Sequence, residues 1–203
     1  MPVTLVKPAL PYLASYQAAL AQGWSPDTMR PQKAQEDLLQ IAADAGQFLR
    51  KLDAITDLPI APDAPHPPAF IMEGKVTLPD GSQIDRLPGF VRWIWDGEFC
   101  GSINVRWQPG TATLPPHILG HIGYAVVLWK RQQGYATAAL QRLLPLARAY
   151  GLPYVEITTD PENIASQKVI TNNGGVLIET FTAAPAYGST PTLRYRIVLS
   201  SAA

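Results

Sequence analysis

The feature that most constrains how this chain folds lies between Gly120 and Gly151, where "GHIGYAVVLW" runs directly into "RQQGYATAALQRLLPLARAYG". The first piece is a short apolar run rich in aromatic and β-branched residues, which predicts a strand over Gly120–Trp129. The second places apolar residues at three- and four-residue spacing, which predicts a helix. At the junction stands Gly134, although glycine costs a helix about 1 kcal/mol relative to alanine. A helix leaves its first four N–H groups without intrahelical partners and presents the positive pole of its dipole at the same end. Such an end holds anions, phosphate above all. A side chain at Gly134 would obstruct the approaching anion, and Ala136 keeps the next turn small. Further on, Pro145 removes a backbone donor from the helix and predicts a kink near Gln141–Leu144.

The remaining elements can be read around this unit. Val3–Val6 predicts a short strand closed by Lys7-Pro8, and Tyr12–Gly23 a helix ending on glycine. Helix starts follow at Ser25-Pro26 and after Pro31. Leu38, Leu39, Ala42, Ala45, Phe48, Leu49 and Leu52 then mark an amphipathic helical region, with an interruption or kink expected at Gly46. Residues 57–89 are crowded with proline, glycine and aspartate, which favours turns and extended loops over packed elements. A surface connection and a flap over a pocket are both open readings of that stretch. Asp96-Gly97, between two aromatic, β-branched runs, predicts a hairpin, with Trp93 and Trp95 on one face of its first strand. Pro153–Thr159 predicts a strand, Asn163 starts a short helix with a glycine stop, and "VLIETF" and "LRYRIVLS" close the chain as strands. Without a repeat or a sharp shift in composition, residues 1–203 read as a single α/β domain.

Charge and cysteine content narrow the partners. Sixteen basic and sixteen acidic residues leave no net field, so capture of nucleic acid or of an anionic membrane surface is not expected. The longest strongly apolar run, Tyr124–Trp129, is far too short to span a bilayer, and the N-terminal stretch is a poor signal peptide. Cys100, the single cysteine, suits a reducing compartment, so a cytoplasmic location is expected. It lacks a matched acid–base partner in sequence and reads as a packed strand residue. His117 and His121 have helical metal spacing, but Pro115-Pro116 and Gly120 argue against a helix there, so no metal is expected.

The phosphate-bearing ligand can be narrowed by elimination of motifs. No GxxxxGK[S/T] and no GxGxxG is present at the junction, and no GxSxG elbow or zinc motif occurs anywhere. What is present, Arg131-x-x-Gly134-x-Ala136 between a strand and a long helix, resembles the pyrophosphate-binding motif of the GNAT superfamily of N-acetyltransferases. A second segment, "DPENIASQKVITNNGG", is similar to that superfamily's later motif, with Asn163, Ser166, Val169, Gly174 and Gly175 in place. The two together cover Gly120–Phe181.

The resemblance implies a mixed, mostly antiparallel sheet of six or seven strands, flanked by helices and splayed at a cleft for acetyl-CoA. Residues 90–203 would form the acyl-CoA-binding core, and 1–89 an N-terminal strand, helices and proline-rich loop. It further implies that the backbone around Tyr124, Val126 and Val127 pairs with the pantetheine arm like an added strand. Amides from Gln132, Gln133, Gly134, Tyr135, Ala136 and Thr137 would hold the pyrophosphate, with Arg131 adding charge. Asn163, with Ser166 in the same motif, would hydrogen-bond the pantetheine amides while also capping its helix. The implied reaction is direct attack of a primary amine on the acetyl thioester, with a backbone N–H near Val126 or Val127 polarising the carbonyl.

In two places the chain departs from the family pattern. Many members carry, seven residues after the motif asparagine, a tyrosine that protonates the departing thiolate; here the residue is Ile170, so Tyr124, Tyr135 or Tyr187 would have to substitute. Some members carry a glutamate base near the start of the central strand; the corresponding residue is Gly120. The candidate bases are then His121 beside it, which titrates near neutrality when unperturbed, and Glu156 on the neighbouring strand. Asp96 and Glu98, at a hairpin turn, read as solvated. The acceptor is left open between a small-molecule amine and a protein N-terminus, and a homodimer is compatible with the reading. Two alternatives follow from the missing acid and base, and from the open donor: a non-catalytic acyl-CoA sensor or scaffold, and a transferase using another acyl donor.

Overall fold

The computed structural model describes residues 2–52, 74–78 and 80–199. In chain order the elements are β1 (Thr4–Val6), α1 (Leu10–Ala21), α2 (Lys33–Leu52), β2 (Lys75–Thr77), β3 (Gln83–Asp85), β4 (Gly89–Trp95) and β5 (Phe99–Arg106). There follow β6 (Ile122–Val126), α3 (Tyr135–Ala149), β7 (Tyr154–Thr159), α4 (Ile164–Thr171), β8 (Val176–Thr182) and β9 (Pro191–Val198). The described strands form a four-stranded sheet ordered β1-β4-β5-β6, a hairpin β2-β3 and a three-stranded sheet ordered β7-β9-β8. The chain divides into two compact units, each drawing on three stretches of sequence. One comprises Met1–Leu58, Phe90–Asn104 and Tyr124–Arg142, the other Pro59–Gly89, Val105–Gly123 and Leu143–Ala203.

The first unit is organised around aromatic rings. Tyr16 of α1 stacks on Trp93 of β4 with centroids 4.6 Å apart, and Phe99 meets Tyr16 and Trp93 edge-on at 5.1 and 5.7 Å. Tyr12 lies 4.7 Å from Trp95, so the two tryptophans that share a strand face both pack on α1. Such pairs add about 0.5–1.5 kcal/mol beyond the area they bury. The hydroxyl of buried Tyr16 donates to Asp37 Oδ2 at 2.6 Å, and Lys33 pairs with Asp37 Oδ1, so the one buried carboxylate of α2 is bonded at both oxygens. Burial and the adjacent Asp37 raise the Tyr16 pKa well above its ordinary value.

α2 breaks at Asp44, two residues before the expected Gly46. Asp44 is extended, and its Oδ1 accepts from the Gln47 N–H at 2.8 Å, so an N-cap starts a second helical segment inside the amphipathic run. Glycine propensity pointed to the neighbourhood, and the capping carboxylate determines the break. α3 passes through Pro145 from Tyr135 to Ala149 as one helix.

The second unit packs Trp107, Leu143, Ala147, Leu152, Val155, Ile157, Ile170 and Ile197, with Trp107 stacked on Tyr150 at 5.1 Å. Its three-stranded sheet is antiparallel, pairing Glu156 with Arg196 and Ile157 with Tyr195, and a bulge falls between Leu177 and Glu179 of β8. Residues 57–89 differ in part from expectation. The stretch 57–73, with the question of a flap, lies outside the described residues, but 75–85 holds the β2-β3 hairpin, where Lys75 pairs with Asp85 and Val76 with Ile84. Its turn residues were legible as punctuation, whereas three-residue strands are too short to show a period.

Candidate functional site

The strand–turn–helix junction belongs to the first unit. After β6, a 3-10 turn at Leu128–Lys130 leads into the exposed residues Arg131–Gly134 and then α3. Two residues of this turn are left-handed, Gln132 at φ 61° and Gly134 at φ 82°. At Gly134 no protein atom lies within 4 Å of where a Cβ would be. The glycine is therefore fixed by its positive φ and faces open space, which suits close approach of an external group. The first intrahelical bond of α3 runs from the Ala138 N–H to the Gly134 carbonyl at 3.0 Å, which leaves Tyr135 and Ala136 without partners for their amides within the helix. No acidic residue stands in the first turn of α3 to compete for them. The junction has the form of an anion cradle.

The neighbouring side chains are arranged to hold the turn. Arg131 folds back, its Nε donating to the Val126 carbonyl at 3.2 Å, and Gln133 Nε2 donates to the Trp129 carbonyl at 3.2 Å. The Val127 N–H donates to the Cys100 carbonyl at 3.0 Å. Of the two amides considered for the thioester oxyanion, Val127 is thus committed to the sheet and Val126 stays in consideration. Val126 and Val127 are buried; Tyr124 is half-buried.

Asp96 is not solvated. Its side chain is 11% exposed and pairs with Lys130 Nζ at 2.8 Å, while the Tyr135 hydroxyl donates to the same oxygen. Hydrogen bonds from Lys130 and Tyr135 outweigh the effect of burial and hold the Asp96 carboxyl far below the usual carboxylate range; the bonds that Lys130 donates to Asp96 and Glu98 raise its own pKa. Tyr135, bonded to Asp96, also has its pKa raised and is a poorer proton donor than an ordinary tyrosine. Sequence reasoning missed this group because 34 and 39 residues separate Asp96 from its two partners; an Asp-Gly step signals a turn and nothing beyond it. Cys100, buried beside Asp96, has its thiol pushed up to about 12, first by burial and then by the Asp96 hydrogen bond.

The other candidates fall in the second unit. His121 is fully buried, and its Nδ1 accepts from the Glu156 N–H at 3.0 Å, so the proton is on Nε2, which donates to the Ala112 carbonyl at 3.2 Å. Its own N–H donates to the Glu156 carbonyl at 2.7 Å. Burial drives the ring's pKa down to about 4, against the opposing influence of the Glu156 charge. Both ring nitrogens are engaged in tying the residue before β6 to β7. Glu156 Oε1 accepts from Arg196 Nη2 at 2.5 Å and Nε at 3.2 Å, and Oε2 lies 3.7 Å from Arg194. At Gly120 a Cβ would stand 2.9 Å from the Glu156 carbonyl oxygen, so the place where some relatives carry a glutamate has no room for a side chain. Ile170 is fully buried in the core, and Tyr187 donates to the His117 carbonyl at 3.1 Å. Asn163 caps α4, its Oδ1 accepting from the Ser166 N–H at 3.0 Å, and is itself exposed. Among the described residues no three His, Cys, Asp or Glu side chains converge as a metal ion would require, and no helix is long and apolar enough to cross a membrane.

Residues 79–176 match the acetyltransferase (GNAT) domain family. Three solved structures share the fold across nearly the whole chain. The microcin C7 self-immunity acetyltransferase MccE, in complex with acetyl-CoA and AMP, aligns with 97% of this chain and 92% of its own at TM-score 0.56 and 15% identity. The ribosomal L7/L12 alpha-N-protein acetyltransferase RimL, in complex with coenzyme A, aligns with 97% and 93% at TM-score 0.57 and 13% identity. A putative ribosomal-protein-serine acetyltransferase from Vibrio cholerae aligns with 97% and 93% at TM-score 0.54 and 14% identity. No match is found among curated proteins. Residues 79–176, which contain both the pyrophosphate-type turn and the later asparagine motif, match the GNAT acetyltransferase domain, and the chain shares the α/β fold of these solved acetyltransferases.

Proposed function

We propose that this chain transfers an acetyl group from acetyl-CoA to a primary amine, and that the acceptor is an α-amine: a protein N-terminus or a small molecule of amino-acid type. The observation that carries the first half is the left-handed turn Gln132–Gly134 opening onto the α3 N-terminus inside the family-matched segment. Amides of Gln132–Thr137 would hold the pyrophosphate, and Tyr124 and Val126 the pantetheine arm. The cradle fits an anionic substrate because it is exposed and carries no competing carboxylate in the first helical turn.

The second half rests on the state of the candidate bases. Neither ring nitrogen of His121 has a lone pair to offer, and Glu156 is held by Arg196 and Arg194. An acceptor that reaches its neutral form by itself suits such a site. At pH 7.5 an α-amine with pKa about 8 is about one-quarter neutral, whereas a lysine amine with pKa about 10.4 is neutral only about once in a thousand molecules. The neutral nitrogen attacks the thioester carbon, the carbon–sulfur bond breaks, and the proton lost from nitrogen ends on the coenzyme's sulfur or in water. A thiol with pKa about 8.5 leaves without an acid, so the absence of a tyrosine at Ile170 is tolerable. RimL, which shares the fold, is an alpha-N-protein acetyltransferase, in keeping with such an acceptor. The lone Cys100 suits a cytoplasmic setting.

A panel of α-amines and lysine-type amines, followed by thiol release from acetyl-CoA, tests the proposal. Faster turnover of the α-amines is expected; a preference for ε-amines overturns the acceptor reading. The occupied His121 and Glu156 also favour a second reading, a coenzyme-binding sensor, which coenzyme binding without turnover on any acceptor or with any acyl-CoA would establish.

A further inference from the structure

The turn that forms the cradle is exposed, yet both of its ends are fastened to one atom. Lys130 closes the 3-10 turn before it and Tyr135 opens α3 after it. Lys130 Nζ at 2.8 Å and the Tyr135 hydroxyl both donate to Asp96 Oδ2. Lys130 also meets Glu98 Oε1 at 2.7 Å and lies 5.6 Å from the centroid of the Tyr135 ring. The Glu98 N–H, 3.4 Å from Asp96 Oδ1, fixes the carboxylate within the β4–β5 turn. The lysine next to the anion cradle therefore points its charge at the hairpin, where two carboxylates neutralise it.

We propose that Asp96 is a positioning residue for the coenzyme, clamping the two ends of the Arg131–Gly134 turn so that its amides stand ready for the pyrophosphate. The inference rests on the coenzyme reading given above. A turn with left-handed residues at both Gln132 and Gly134 has many other conformations open to it, and ordering it at the moment of binding would weaken affinity. Asp96 restricts those alternatives in the folded protein beforehand. Because both arms end on one oxygen, removing the carboxylate releases Tyr135 and leaves Lys130 held by Glu98 alone.

The test is a calorimetric titration of coenzyme A into the full chain and three variants: Asp96→Ala, Tyr135→Phe, and the two combined. Asp96→Ala should weaken binding about tenfold or more, the range of a lost hydrogen bond to a charged group, and Tyr135→Phe about threefold, because it keeps the Lys130 arm. The combined variant should bind no more weakly than Asp96→Ala alone. In turnover the KM for acetyl-CoA should rise by the same factors with kcat within about twofold, a split that a mere loss of stability would not produce. Undiminished affinity in Asp96→Ala, or an effect confined to kcat, overturns the clamp. Should Asp96→Ala not fold, unchanged affinity in Tyr135→Phe overturns it. Absence of heat with the native chain overturns the coenzyme reading and the clamp with it, whereas tight binding by native and variants alike overturns the clamp alone.

Discussion

His121 makes a quantitative prediction about stability and pH. Its ring is buried and neutral, with a pKa of about 4, whereas an unfolded chain protonates a histidine near pH 6.5. Between these values the unfolded chain takes up a proton that the folded one refuses. The stability gained by keeping the ring neutral is fully present above pH 6.5 and is lost as pH falls toward 4. From that pair of values the loss is about 2 kcal/mol by pH 5 and about 3 kcal/mol by pH 4. The perturbation is His121→Gln, which does not titrate. Urea unfolding of both proteins at several pH values between 7 and 4 gives two curves of stability against pH. The variant is expected to be less stable at pH 7, because its Glu156 N–H and Ala112 carbonyl partners are disturbed, but its curve should be flatter by about 2 kcal/mol between pH 7 and pH 5. Asp96, whose carboxyl is held low, loses its contribution only below about pH 4, where an ordinary carboxylate starts to protonate, and so acts outside this window. Parallel curves for the two proteins would refute the placement of a neutral, fully engaged imidazole beside β7.

Other outcomes follow from single contacts. Tyr16→Phe should cost about 1–3 kcal/mol in urea unfolding, because it leaves Asp37 Oδ2 buried without its donor. Gly134→Val should lower stability by about 1–2 kcal/mol, since a β-branched residue resists the left-handed backbone, and should abolish measurable heat with coenzyme A. With an α-amine acceptor at subsaturating concentration, the rate should rise with pH until about 8 and then level, following the neutral acceptor; an inflection near pH 6.5 would instead indicate a histidine base.

How much of this was legible in the sequence depends on the range of each interaction. The strand, turn and helix from Ile122 to Ala149 could be read because their period, their glycine and their order are local signals. The Asn163 cap was readable for the same reason: its partner, Ser166, is three residues away. The pairing of Asp96 with Lys130 and Tyr135, and the engagement of His121 by Ala112 and Glu156, depend on residues brought together by sheet formation, which no local pattern encodes. At Asp44 a local signal was present but outranked: the nearby glycine drew attention, while the carboxylate that caps the second segment sets the break. Side-chain chemistry alone made His121 a plausible base; burial and two hydrogen bonds leave its ring without an available lone pair.

The central claim is that main-chain donors at the start of α3 hold the coenzyme's pyrophosphate. Hydrogen exchange of the full chain, with and without saturating coenzyme A, measures those donors directly. Marked slowing across Gln132–Thr137 is the predicted result; saturation of the protein with exchange in that segment unchanged would contradict the account.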